Sequence, residues 1–407
     1  MKGFFIAASV ILSLLICADE MTNIPKLKII LSQEKIEIVP TGSVTQLDNS
    51  NIKISPDSAS SKLAIPGKEF LWKPSELTAR TTGGADIYSH FLTSDGSAAV
   101  ICERVGGMDN PNGLRIVAVD TASGKIIRVS KVFEYDILHS KLINDTTLLA
   151  AAFQSGKKDQ GTYLICIDIV NEEIRTSELL PAIPEAMAAA MEKIYLLSGT
   201  PKCVRVYDTD TFSLQAECQI KNQSAAGLEI SEDGNILAVF GGKQIELYDG
   251  KTHNGTLYSH CLHKVNNGNL TRCAMLDKSG SRIVFFAPEK QAHLFMNGRV
   301  LTLPGIICGE VWAADEKTGT FVLENRMREL EVFEFPGLDS KAKYTPRKMR
   351  PISRNDNTAL FFLPTKTSVR NLILADHRGN LWKLEFKGKR GKKIPVLLSD
   401  TTGIRQR

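Results

Sequence analysis

The sequence predicts an all-β chain of repeated four-stranded antiparallel units, set side by side as the blades of a β-propeller. Three observations carry this expectation. The stretch Gly227-Leu228-Glu229-Ile230-Ser231-Glu232-Asp233-Gly234-Asn235-Ile236-Leu237-Ala238-Val239-Phe240, continued by residues 244–249, reads as strand, tight turn, strand, loop, strand. Its echoes recur at a period of about 40 residues, the spacing of four-stranded blades. Two series of turns also alternate along the chain. Asp95-Gly96, Asn144-Asp145, Glu192-Lys193, Asp233-Gly234, Ser279-Gly280, Thr318-Gly319 and Asn355-Asp356 mark the passage from first to second strand. Asp120, Asp168, Asp208, Asp249, Asn297, Gly337 and Asp376 announce the hairpin from third to fourth strand, giving seven members in each series. Most of these residues tolerate the positive φ of tight hairpins. Finally, runs such as Ala99-Val100-Ile101-Cys102, Leu148-Leu149-Ala150-Ala151, Ile194-Tyr195-Leu196-Leu197 and Ile283-Val284-Phe285-Phe286 are short and continuously apolar. Strands packed on both faces have that character.

The chain opens with an address. Lys2, the apolar run at 4–16 and Cys17-Ala18-Asp19-Glu20 form the charged start, short apolar centre and small-residue exit of a secretory signal peptide cut after Ala18. The run is too short to span a bilayer comfortably. Leu14-Leu15-Ile16-Cys17 also resembles a bacterial lipobox, which implies lipidation at Cys17 as the alternative, although Ile16 stands where that motif takes a small residue. Residues 27–31 and 36–39 read as a β-hairpin, and 48–67, rich in Ser, Asn and Pro, as a loop or linker. The expected organisation is therefore a signal peptide at 1–18, an N-terminal hairpin and linker at 19–85, the propeller at 86–398 and a tail at 399–407. Residues 184–193, rich in Ala and Met, have helical propensity, but their place in the repeat demands a strand. A ring leaves open edges unless its ends meet. Either the N-terminal segment or Val396-Leu397-Leu398 supplies the closing strand; seven blades are expected, or eight if both ends build one together.

The residues around the central repeat carry a resemblance. Ile230-Ser231-Glu232-Asp233-Gly234, with Leu237-Ala238-Val239 and Ile245-Glu246-Leu247-Tyr248-Asp249, resembles a repeat of the WD-repeat and related YVTN-type propellers. Asp120-Thr121-Ala122-Ser123-Gly124-Lys125 is similar to the aspartate-threonine-glycine hairpin of the same group. The likeness covers residues 86–386. Tryptophan-aspartate dipeptides and the glycine-histidine pair of the eukaryotic version are missing, so the resemblance implies an exported bacterial-type propeller. Propellers of similar shape include binding modules, sugar-lactone hydrolases and quinone-dependent dehydrogenases.

Composition sets further bounds. A chain of 407 residues exceeds the usual single core, but stacked repeats bury themselves against neighbours and admit one large domain. With 43% hydrophobic and 23% charged residues it has the balance of a soluble globular protein. The net charge of +5 comes partly from Lys387, Lys389, Arg390, Lys392 and Lys393, read as a solvated basic tail; nothing points to nucleic acid. Of eight cysteines, Cys17 belongs to the signal and the remaining seven lie mostly in apolar strands, where free thiols behave as small hydrophobes. Cys203 and Cys218 are the disulfide candidate. With a turn at 209–212 they fall opposite one another across a hairpin, within the roughly 7 Å that a bridge needs between Cα atoms.

Candidates for chemistry are few. At equivalent points of the repeat stand His90, His139, Met187, Leu228, Ala274, Ala313 and Arg350, which places two imidazoles and a guanidinium on neighbouring units. Such a cluster suits anion binding or acid-base work, but its parity points between blades. The opposite parity, Ser89, Phe91, Glu229, Met275, Trp312 and Ala314, is expected to line the channel. If the protein is an enzyme, Glu229, His90 and His139 are its candidate catalytic residues. Loops at 103–112 and 153–161 are the longest, and extended loops on a rigid scaffold are natural binding elements. Asp109, Asn110, Asn112, Trp312 and Arg350 are the binding candidates. His260-Cys261-Leu262-His263 with Cys273 matches no zinc spacing, and no cofactor or metal is expected. Sequons occur at Asn144, Asn222, Asn254 and Asn269. The expected protein is a periplasmic or extracellular, monomeric, non-enzymatic propeller. It binds a protein or envelope partner through a loop-rich face and touches a membrane only through Cys17. The alternative is a lactonase-like hydrolase or quinone-dependent dehydrogenase with a site at the channel mouth.

Overall fold

Each turn-bounded apolar run of the sequence becomes a strand in the computed structural model. It describes residues 61–65, 68 and 87–399, omitting 108–109, 124, 156–160, 253–254, 266–268, 288–289, 308–311, 316–319, 325–329, 335–338, 345–358, 363–371, 376–380 and 388–391. Within these, side chains are described up to residue 303, except at 87 and 106–112, and again at Phe321. All belong to one unit, residues 39–407. The signal peptide, Cys17 and the hairpin expected at 27–39 lie outside the described residues, as do Asp109 and Arg350.

Among the described residues, twenty-eight strands form seven four-stranded antiparallel sheets, each contiguous in sequence. The first holds β1 (Ile87–Leu92), β2 (Ala98–Gly107), β3 (Asn110–Asp120) and β4 (Ile126–Phe133); the second holds β5 (Tyr135–Asn144), β6 (Thr147–Gln154), β7 (Tyr163–Asp168) and β8 (Glu173–Leu179). The third comprises β9 (Pro184–Ala190), β10 (Lys193–Ser198), β11 (Cys203–Asp208) and β12 (Leu214–Gln219), and the fourth β13 (Gly227–Ile230), β14 (Ile236–Gly241), β15 (Gln244–Asp249) and β16 (Ser259–Lys264). In the fifth lie β17 (Arg272–Met275), β18 (Arg282–Phe286), β19 (Gln291–Met296) and β20 (Arg299–Ile307), and in the sixth β21 (Trp312–Asp315), β22 (Thr320–Glu324), β23 (Leu330–Glu334) and β24 (Asp339–Tyr344). β25 (Ala359–Phe362), β26 (Leu372–Ala375), β27 (Leu381–Lys387) and β28 (Lys392–Ser399) complete the seventh. First strands touch in chain order, β1 to β5, β9, β13, β17, β21 and β25, and β25 in turn touches β1.

Side-chain alternation explains why the central strands are apolar throughout. In β6, Leu148, Ala150 and Ala152 join Val100 and Cys102 of the first sheet, whereas Leu149 and Ala151 pack on Ala189, Ile194 and Leu196 of the third. Further clusters fill the junctions from third to fourth and fourth to fifth sheets, and Phe321 enters the one between fifth and sixth. Each fully buried Leu, Ile, Val or Phe contributes about 1.5–3 kcal/mol, so both flanks of a sheet add to stability. Residues 184–190 accordingly form β9 despite their helical propensity, because the neighbouring sheets need Ala186, Ala188 and Ala189 on alternate flanks.

The turn residues act as the spacing predicts. Asp120, Asp168, Asp208 and Asp249 each accept backbone N–H bonds from the hairpin they open, for example from Val170 and Asn171 onto Asp168 Oδ1 at 2.8 and 3.0 Å. First turns use a second device. Ser231 Oγ donates to Asp233 Oδ1 at 2.8 Å and accepts from the Ile236 amide at 2.9 Å, and Thr93 with Asp95 repeats it.

Two expectations need correction. Residues 103–112 are mostly strand: β2 and β3 continue past the sheet, with Val105 opposite Gly113 and Gly107 opposite Asn110. Of the stretch 48–67 read as loop or linker, residues 61–65 are described and form a turn; Leu63 there is fully buried in the core between the first two sheets, and its carbonyl accepts from Arg128 Nε at 2.9 Å. Lys387, Lys392 and Lys393 lie in the β27–β28 hairpin rather than in a tail, and Val396-Leu397 completes the seventh sheet by pairing with Lys383 and Trp382.

Candidate binding face

Antiparallel meanders put two kinds of connection on each side of the molecule. Contacts between sheets fix which ends coincide. Ser94 and Asp145, in the first turns of adjacent sheets, meet through two hydrogen bonds of 2.7 and 3.0 Å, and Glu232 pairs with Lys278 in the same way at 2.8 Å. On the opposite face Tyr88, near the start of β1, donates to Asp136 Oδ1, near the start of β5, at 2.5 Å. That second face carries the connections between second and third strands and those between sheets.

One element distinguishes it. β2 and β3 run for 10 and 11 residues, whereas the second and third strands of the other sheets run for 4 to 8. The excess projects from the sheet as a two-stranded ribbon. Its stem is fixed by Glu103, 0% exposed, which accepts from Arg115 Nε at 3.1 Å and Nη2 at 2.8 Å. Gly113 adopts φ +112°, and a Cβ there would sit 1.9 Å from the Phe133 carbonyl oxygen, so only glycine lets the ribbon leave the sheet at this angle. Asn110 and Asn112 belong to this ribbon, with backbone alone described. Trp312 opens β21, again as backbone only.

At the foot of the ribbon, Asp136 is 4% exposed. Tyr88 Oη and, at 3.6 Å, Arg104 Nε both address its Oδ1, and its buried Oδ2 has no hydrogen-bond partner. Deeper along the first strands, Ser89 and Ser140 share a hydrogen bond of 2.7 Å between the first two sheets. Lys141 Nζ lies 3.9 Å from Glu229 Oε1. These residues belong to the second and fourth sheets, so the pair reaches past Ala-rich β9. Burial pushes the Glu229 carboxyl up, partly offset by the Lys141 charge, while a third of its side chain stays exposed.

The three catalytic candidates are not brought together. A bulge at Leu138 shifts the pairing of β5 between Ile137 and His139, so His139 turns toward the third sheet, where its Nε2 lies 3.1 Å from the Pro184 carbonyl. Ser89 and Phe91 face the second sheet, which leaves His90 between them pointing the other way. Desolvation lowers the His90 imidazole to about 3 and also lowers His139, so neither is poised for proton transfer near neutrality. Both parities of the first strands thus meet neighbouring sheets, and Met275 is buried in the core between fourth and fifth. The proposed disulfide does not form: Cys203 and Cys218 are free thiols. A bulge between Val206 and Tyr207 moves the register by one residue, pairing Cys203 with Gln219 and Val204 with Cys218, and a one-residue slip sends side chains to opposite faces. Asn222, completely buried and donating to the Gly241 and Gln244 carbonyls, is no glycosylation site.

No family model matches the chain, and no curated protein matches it. Among solved structures it is similar to one described as "KlHsv2 with loop 6CD replaced by a Gly-Ser linker", with a TM-score of 0.55 and 10% identity, over 77% of this chain and 97% of that one. The fold is a β-propeller. The likeness supports WD-like four-stranded blades and does not single out the bacterial YVTN type. Among the described residues, no group of three or more His, Cys, Asp or Glu side chains is arranged to hold a metal. The orphaned Asp136 oxygen was invisible to sequence reasoning, because it depends on a contact between residues 48 positions apart.

Proposed function

We propose that this chain is an exported seven-bladed propeller that binds a protein or envelope partner through the face bearing the β2–β3 ribbon, without catalysis of its own. The observation that carries the reading is the ribbon. One hairpin outruns its counterparts in every other sheet, is braced by the buried Glu103–Arg115 pair, and projects from a rigid base. Recognition elements on propellers are rim segments held by such scaffolds. The circuit of first-strand contacts supports seven blades, and the apolar run behind Lys2 supports export.

A photo-crosslinking residue placed at Asn110, at the ribbon's end, is expected to yield a discrete adduct in the source cells. The same residue at Lys251, in a hairpin on the other face, is expected to yield none. Equal labelling from both positions, or none from Asn110, would contradict the reading. Mass analysis of the purified protein tests export separately: a free Asp19 or an acylated Cys17 agrees with it, and a retained Met1 does not.

A further inference from the structure

We propose that the crevice between the first and second sheets, at the foot of the ribbon, is a binding site for an uncharged saccharide, with Asp136 Oδ2 accepting one of its hydroxyls. This rests on the reading that the ribbon face is the recognition face, and it names the chemistry recognised there.

The argument starts from an unsatisfied atom. Both groups that address Asp136, the Tyr88 phenol at 2.5 Å and the Arg104 guanidinium at 3.6 Å, approach the same carboxylate oxygen. The other oxygen is buried with no donor. A buried carboxylate oxygen left in this state is costly, so the site favours any guest that brings a donor. Charge decides what kind. A cationic guest would meet the Arg104 guanidinium, and an anionic guest would meet the Asp136 carboxyl. A neutral hydroxyl avoids both penalties.

The walls point to the rest of the guest. Tyr88, Tyr135 and Tyr163 stand at or beside the starts of β1, β5 and β7, which all begin on the ribbon face. All three pack on the core between the first two sheets and keep part of their surface in solvent. Tyrosine presents an apolar ring body with a polar tip, a match for the C–H face and hydroxyl rim of a pyranose. Arg104, with 21% of its side chain exposed, borders the same carboxylate.

Isothermal titration of the full mature protein with cellohexaose, maltohexaose and chitohexaose tests this, with hexalysine and inositol hexaphosphate as charged controls. At least one neutral oligosaccharide should bind saturably and more tightly than either control. D136N, which keeps an acceptor for Tyr88 but replaces the carboxylate, should weaken it at least tenfold. Y135A should weaken it without touching Asp136, which keeps the test open if D136N folds poorly. D249N, on the opposite face, should leave it unchanged. Saturable binding by none of the three sugars would overturn the inference and assign Oδ2 to a structural water. So would binding that survives D136N and Y135A in folded variants. An Asn110 adduct without saccharide binding would remove this inference and leave the proposed function standing.

Discussion

Asp168 and Asp208 show how far a single residue type can be followed from sequence to energetics. Each opens a hairpin, and backbone amides donated by Asn171 and Thr211 respectively are the main cause of carboxyls held below the ordinary 3.8. As pH falls, the unfolded chain therefore takes up protons before the folded one does. The stabilisation is complete above the unfolded value and is lost as pH drops through the lower folded values. Urea unfolding midpoints should fall below about pH 4 in the native chain, and D168N/D208N should lower the midpoint at pH 7 and flatten that fall, because the contribution lost on acidification is then already missing at neutrality. An unaltered acid profile in the double variant would show that these turns carry no such linkage. These roles were legible in the sequence because an aspartate capping its own hairpin needs nothing beyond three neighbours. The Asp136 site was not, because its partners come from two other strands.

Elements were legible where period and turn chemistry agreed, and illegible where a bulge intervened. Alternation gave β9 its strand, and the turn series marked the succession of four-stranded antiparallel sheets. Yet one extra residue in β5 turned His139 away from the direction of His90, and one extra residue opposite Val206 separated Cys203 from Cys218. These bulges left no mark in the hydrophobic pattern, since β5 and β12 mix polar and apolar residues and are largely part-exposed, so neither strand has a clean alternation to break. The ribbon was misread as loop for a related reason: Gly106, Gly107, Asn110, Pro111 and Gly113 are turn-forming types, and their pairing depends on the buried Glu103–Arg115 brace. Removing one partner of a buried ion pair is strongly destabilising, by about 3–5 kcal/mol. R115L should therefore lower the unfolding free energy by that order, and E103Q/R115L should recover part of it. If R115L is as stable as the native chain, the brace is not what holds the ribbon's stem.

At the scale of the whole propeller, contacts between first strands among the described residues run in a circuit, and the proposed ring gives every sheet a neighbour on each side. Leu63 and Arg128 tie the preceding segment to the junction of the first two sheets, but each sheet is completed by its own strands. In the proposed seven-bladed ring, closure rests on lateral packing of β25 against β1 rather than on an exchanged strand. An open array of repeats loses one unit and one interface when its last member is removed. A closed ring loses two interfaces and exposes two apolar flanks. Thermal unfolding of a chain ending at residue 356, without the seventh sheet, is the most direct test. The account predicts loss of the cooperative transition; a sharp transition within about 2 °C of the full-length midpoint would contradict it.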